Sequence, residues 1–152
     1  MQVRPKSKPL ANMLAARAWQ TATVLEDGPN VLIVGGLDRD GRVIPTAEVY
    51  DCENDSSRLT AGSPIWPRFD HQAIALPGNR VLIVGGRFAG GEISARAEIY
   101  DAATDSFSKA PGALYGPLTG HAVVLVNGGL IVFGGQDRLH GAFDSVESYE
   151  IG

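Results

Sequence analysis

A short apolar run ending in two glycines occurs three times in this chain: Val31-Leu32-Ile33-Val34-Gly35-Gly36, Val81-Leu82-Ile83-Val84-Gly85-Gly86, and Leu130-Ile131-Val132-Phe133-Gly134-Gly135. The glycine pairs stand at steps of 50 and 49 residues. A second marker keeps the same step: Ala47-Glu48-Val49-Tyr50-Asp51, Ala97-Glu98-Ile99-Tyr100-Asp101, and Val146-Glu147-Ser148-Tyr149-Glu150. A repeat near 50 residues belongs to a chain of stacked units, none of which can bury its apolar faces alone. Length would suggest one ordinary domain for 152 residues. The repeat overrides that prior.

Charge and cysteine content narrow the setting. Thirteen Lys and Arg against 17 Asp and Glu give a net charge of −4, with no basic block. That argues against nucleic acid or an anionic membrane as partner. No stretch approaches the roughly 18 apolar residues of a membrane span. The segment Met1–Leu14 carries Arg4, Lys6 and Lys8 between Pro5 and Pro9, without the apolar core of a signal peptide. Cys52 is the single cysteine, so no intrachain disulfide can form. Both points lean toward the cytoplasm.

The second repeat gives the unit's plan. Gln72 to Leu76 is a short apolar run, and Pro77-Gly78-Asn79-Arg80 is a turn. Val81 to Val84 is β-branched, too short for a helix and apolar at every position, which predicts a strand buried on both faces. After Gly85-Gly86 comes a polar loop, Arg87 to Arg96, then a third strand at Ala97 to Tyr100. A turn at Asp101–Asp105 leads to a polar fourth strand, Ser106 to Lys109, and a looser segment, Ala110 to Gly120. Four strands joined by short turns, apolar inside and polar at the last, describe one propeller blade. The expected fold is all-β, with blades built around 20–60, 70–110 and 120–151 and no helix. The briefly helical pattern of Leu10 to Trp19 is discounted because it aligns with Thr60–Phe69 of the next repeat.

With these motifs the chain resembles the kelch repeat family, in its bacterial galactose-oxidase-like propeller form. The resemblance rests on the Gly-Gly strands, the Ala-Glu-x-Tyr-Asp strand, and the run Arg68-Phe69-Asp70-His71-Gln72-Ala73, and it covers nearly the whole chain. Departures exist. Kelch repeats usually carry Trp in the fourth strand, where Phe107 and Ser57 stand here. The leading histidine is His71 and His121, but Thr21 in the first repeat. Arg17 and Arg68 keep the leading arginine, and Pro117 is read as its replacement before His121. Copper radical oxidases of this fold need a Cys–Tyr cross-link. Cys52 lies just past a third strand, toward the outside of its blade, so that chemistry is not expected and no cofactor or metal is assigned.

The phase of the repeat constrains assembly. Aligning Thr21, His71 and His121 puts Lys6–Leu10 where the fourth strands Ser56–Thr60 and Ser106–Ala110 sit. The chain, read as one three-blade unit over 1–152, therefore opens on a spare fourth strand, about residues 3–10, and stops on a third. Propellers close with about four to eight blades, so three cannot make a ring. An open arc leaves apolar faces and a bare strand edge. The expectation is a homodimer, half of a six-bladed ring per chain, each N-terminal strand completing the third blade of the other in trans. A fragment of a longer propeller is the plainer alternative.

Recurrence sorts the candidate site residues. His71 and His121 could be a metal or acid–base pair, but catalytic residues rarely recur on every blade. They are read as structural, bonded to backbone. Glu48, Glu98 and Glu147 are likewise read as satisfying loop N–H groups or an arginine of a neighbouring blade. Tyr50, Tyr100 and Tyr149 are packing residues whose hydroxyls need a partner. His140 breaks the repeat and sits in a loop, where specific function concentrates. In kelch adaptors the second-to-third and fourth-to-first loops share one face. The resemblance therefore implies a ligand face bearing Arg39, Arg87, Arg138, His140 and Arg68. The function expected is a non-enzymatic binding module for an acidic peptide or a carbohydrate. The alternatives are a sugar mutarotase-like enzyme with Arg and Glu in a channel, and a purely structural repeat.

Overall fold

The computed structural model of the chain describes residues 6–151. Its strands form antiparallel meanders. The first blade comprises β1 (Thr21–Val24), β2 (Asn30–Val34), β3 (Ala47–Asp51) and β4 (Ser56–Leu59), paired in that order. The second comprises β5 (Gln72–Leu76), β6 (Arg80–Val84), β7 (Arg96–Asp101) and β8 (Ser106–Ala113), again in order. In the third, β9 (Ala122–Val126) pairs with β10 (Gly129–Phe133). A two-residue hairpin, β11 (Gln136–Asp137) with β12 (Gly141–Ala142), then precedes β13 (Val146–Tyr149), which pairs with β10. No helix occurs among the described residues. The chain is an all-β stack of kelch-type blades.

Two details differ from the sequence expectation. β8 runs on to Ala113, through residues expected to be loose, because Arg96 pairs with Ala113 beyond a bulge. The β11–β12 hairpin was not expected, since two-residue strands leave no periodicity to read. Of the spare N-terminal strand, residues 3–5 lie outside the described residues, and Lys6–Leu10 pairs with no strand among the described residues.

The all-apolar strands are buried on both faces because blades stack. One core joins blades one and two through Leu25, Leu32, Val34, Ala47 and Val49 on one side and Val81, Ile83 and Tyr100 on the other. The next joins Leu76, Leu82, Val84, Ala97 and Ile99 to Val123, Leu130, Val132 and Tyr149. Successive strand residues thus serve alternate neighbours. The first strands of consecutive blades, β1, β5 and β9, pack side by side and form the hub.

Three of these positions are bare on the third blade. By register, Leu25 and Leu76 correspond to Val126, Val34 and Val84 to Phe133, and Ala47 and Ala97 to Val146. The first two members of each set are at most 5% exposed, whereas Val126, Phe133 and Val146 are 49%, 44% and 60% exposed.

The glycine pairs mark where one blade receives the next. Gly35 has φ +67°, and a Cβ there would lie 2.2 Å from the Arg68 carbonyl oxygen and 3.0 Å from His71 Cε1. At Gly85, φ is +70° and the Cβ would lie 2.3 Å from His121 Cε1. Both the positive φ and the missing side chain are required. The N–H groups of Gly36 and Gly86 donate to Arg68 and Leu118 carbonyls across the same junction.

Candidate functional site

The loops after the glycine pairs and the segments leading into each blade share one end of the stack. Short bridges tie them together: Ala18 with Leu37, Phe69 with Arg87, and Thr119 with Gln136. Asp38 fixes the first loop by accepting the N–H groups of Asp40 and Arg42, and the Arg42 bond chiefly holds its carboxyl below the usual range. Asp137 does the same in the third loop for Leu139 and His140, and also meets His140 Nδ1 at 2.8 Å. That side-chain contact is the main reason its carboxyl is held low.

Arg39, Arg138 and His140 are exposed at this end, and Arg87 is half-buried. None of the three arginines forms an ion pair among the described residues. A groove of about 390 Å³ runs between the first two loops, lined by Arg42, Val43, Phe69 and the glycines Gly41, Gly90 and Gly91. Arg42 is thus the arginine on the groove wall. Sequence reading passed it over, although it closes the Asp38 turn.

Arg68 is not on this face. It is 1% exposed, with its guanidinium 3.2 Å from Glu98. The guanidinium also donates to the carbonyls of Gly85 and Arg96, both at 2.8 Å. Glu98 completes its own shell with the N–H groups of Ile65 and Trp66. Burial pushes the Glu98 carboxyl up and the Arg68 guanidinium down, each opposed by the other's charge. Arg17 repeats the arrangement with Glu48 at 2.6 Å and with the carbonyls of Gly35 and Thr46. The carboxylates therefore satisfy loop N–H groups and an arginine, but the arginine leads into the same blade and not a neighbouring one.

The third unit breaks the pattern. Counting back from His121, register puts Leu118, not Pro117, in the arginine's place: Leu118 accepts from Gly86 N–H as Arg68 accepts from Gly36 N–H. Leu118 is buried in the apolar core and offers no donor. Glu147 still accepts the Tyr115 N–H at 3.2 Å, but its Oε1 is buried without a partner among the described residues. A groove of about 360 Å³ opens beside it, lined among others by Tyr115, Leu118, Asp137, Phe143 and Ser145.

The histidines lie at the hub. His71 and His121 are 3% and 2% exposed. His71 Nε2 is 2.8 Å from Thr21 Oγ1, so the bond is to a side chain and not to backbone as expected. By strand register the first-blade counterpart of His71 is Gln20 and not Thr21, because the first hairpin is one residue longer. Neither ring nitrogen of His121 has a partner among the described residues. Burial pulls His71 down to about 3, helped by the charges of Arg68 and His121, and pulls His121 down to about 4 against the charge of Asp70. Both rings are neutral near pH 7. Tyr100 donates to Asp105 at 2.6 Å and Tyr149 to the Pro111 carbonyl at 2.5 Å, and Tyr50 donates to Asp55, so all three hydroxyls are satisfied. Cys52 is exposed.

Residues 117–151 match the family model described as Kelch motif. The solved structure of YjhT superposes on 96% of this chain with a TM-score of 0.83, at 14% identity. The match takes up 53% of YjhT, so the chain spans about half the length of that protein. No curated protein matches the chain.

Proposed function

The chain carries kelch repeats, and on that premise we propose that it is a non-enzymatic binding module that completes itself by pairing with a second copy into a six-bladed ring. The bare outgoing face of the third blade carries this reading. Its apolar set matches the two sets buried between blades, so the surface that fits it is another incoming blade face. The first blade offers one, with Val31, Ile33 and Tyr50 at the places of Val81, Ile83 and Tyr100.

A second observation supports the strand exchange. Asp105 accepts the Ala61 N–H just after β4, and Asp55 accepts the Ala11 N–H in the same way. Ala11 is thus held as a residue leaving a fourth strand is held. In the proposed ring, Lys6–Leu10 lies against the free edge of the partner's β13. That YjhT is about twice as long as the matched region fits three further blades, supplied here by the second copy. Arg39, Arg87 and Arg138, which form no ion pair among the described residues, would line the loop face of the ring and grip an acidic peptide or a carbohydrate, arginine being suited to two-point contact with carboxylates.

Light scattering at micromolar concentration tests the assembly. The expected mass is twice that of the chain, and Phe133→Glu, which buries a charge in the junction, is expected to halve it. A monomeric wild-type chain would sink the reading and leave further repeats of a longer protein as the cover. For the ligand face, an acidic peptide is expected to bind less well as salt rises and to lose affinity in an Arg39→Ser, Arg87→Ser, Arg138→Ser triple variant.

A further inference from the structure

Two units of this chain hold a guanidinium in the same cradle, and the third has the cradle without it. In the second unit Arg68 lies among the Glu98 carboxylate and the carbonyls of Gly85 and Arg96. In the first, Arg17 lies among Glu48 and the carbonyls of Gly35 and Thr46. The matching acceptors in the third are Glu147 and the carbonyls of Gly134 and Ser145. The bond from Gly134 N–H to the Ser145 carbonyl, 2.9 Å, repeats that from Gly85 to Arg96. Leu118 replaces the donor, a buried Glu147 oxygen is left without a partner among the described residues, and a groove lies beside it.

We propose that this place binds the arginine side chain of a peptide. The ligand chemistry follows from the cradle. Its matched groups are a carboxylate and two carbonyls, the charged residues lining the groove are Glu147 and Asp137, and no cation lines it among the described residues. A planar guanidinium brings five fixed donors to such a set, where an ammonium brings a compact point charge. The groove is also walled by the rings of Tyr115 and Phe143. Arg68 has comparable company, lying 6.0 Å from the Trp66 ring and 5.6 Å from that of Phe88. An arriving arginine would restore to Glu147 the hydrogen bond its counterparts have, so specificity comes from a buried acceptor that only a donor relieves. The site is separate from the loop-face arginines, which select the opposite charge.

N-acetyl-arginine amide is the probe, with the citrulline and lysine analogues as comparisons, read by calorimetry and by backbone amide shifts of Ser145 and Glu147. Saturable binding of the arginine probe, at least ten-fold weaker for citrulline and weaker for lysine, is the expected result. Glu147→Gln is expected to weaken binding at least ten-fold. Leu118→Arg should abolish it by filling the cradle from within, while raising Tm. Equal binding of arginine and citrulline, no saturable binding, or full affinity in Glu147→Gln would overturn the proposal. If Leu118→Arg does not fold, Glu147→Gln decides alone. The mass of each sample is measured in the same runs, so failure to dimerise and failure to bind arginine are separate results.

Discussion

Arg68 and Glu98 meet where neither side chain is more than 1% exposed, so neither charge has water to turn to. Arg68→Ala leaves a carboxylate buried without its cation, and urea unfolding is expected to show a loss of about 3–5 kcal/mol. Replacing both residues by leucine is expected to cost less than this single change. The glycines divide in the same way. Gly85→Ala should be severely destabilising, because the new Cβ meets His121 at 2.3 Å. Gly90→Ala, at φ +86° with open space around it, should cost only about 1 kcal/mol. Sequence alone set the glycine pairs and the recurring glutamates apart, since recurrence is visible there. It misplaced Arg68, because burial depends on the blade that folds over a residue and not on its neighbours in the chain. The Glu147 cradle stayed hidden behind the alignment of Pro117 with the arginine. Counting three residues back from His121, as Arg68 stands before His71, finds Leu118 and the missing donor.

At the level of elements, the turn between third and fourth strands does more than reverse the chain. Asp105 receives the Tyr100 hydroxyl, the Ala61 N–H and the Arg58 guanidinium, so it fastens the second blade to the outer strand of the first. Asp105→Ala is expected to cost ~2–3 kcal/mol by denaturant melts, on the scale of lost charge-assisted hydrogen bonds. Asp55→Ala removes bonds from an exposed site and should cost less. The four-strand plan and its boundaries were legible because β-branched runs and Gly-Asn or Asn-Gly turns are local signals. The extension of β8 was not, because it depends on a bulge in its pairing with β7.

Across the whole molecule, the hub makes stability depend on pH. His71 and His121 are depressed to about 3 and about 4 in the folded chain against an ordinary 6.5. Between those values the unfolded chain binds protons that the folded chain refuses. Stability is therefore full above pH 6.5 and is lost as pH falls toward 4, by a few kcal/mol in all. The lowered carboxyls of Asp105 and Asp137 add their loss only nearer pH 4 and below. Urea midpoints from pH 7 to 4.5 are expected to fall steadily, and His121→Gln should flatten the slope. A flat wild-type profile over that range would contradict the neutral buried pair.

The notch over Gly35 is filled by His71 and that over Gly85 by His121, each 36 residues downstream. During synthesis a blade is thus unfinished when its own last strand leaves the ribosome. Its glycine turn closes only after the next blade's first strand has emerged. Native packing advances along the nascent chain with a fixed delay, and a pause in translation inside that interval would present a half-closed blade to proteases and chaperones.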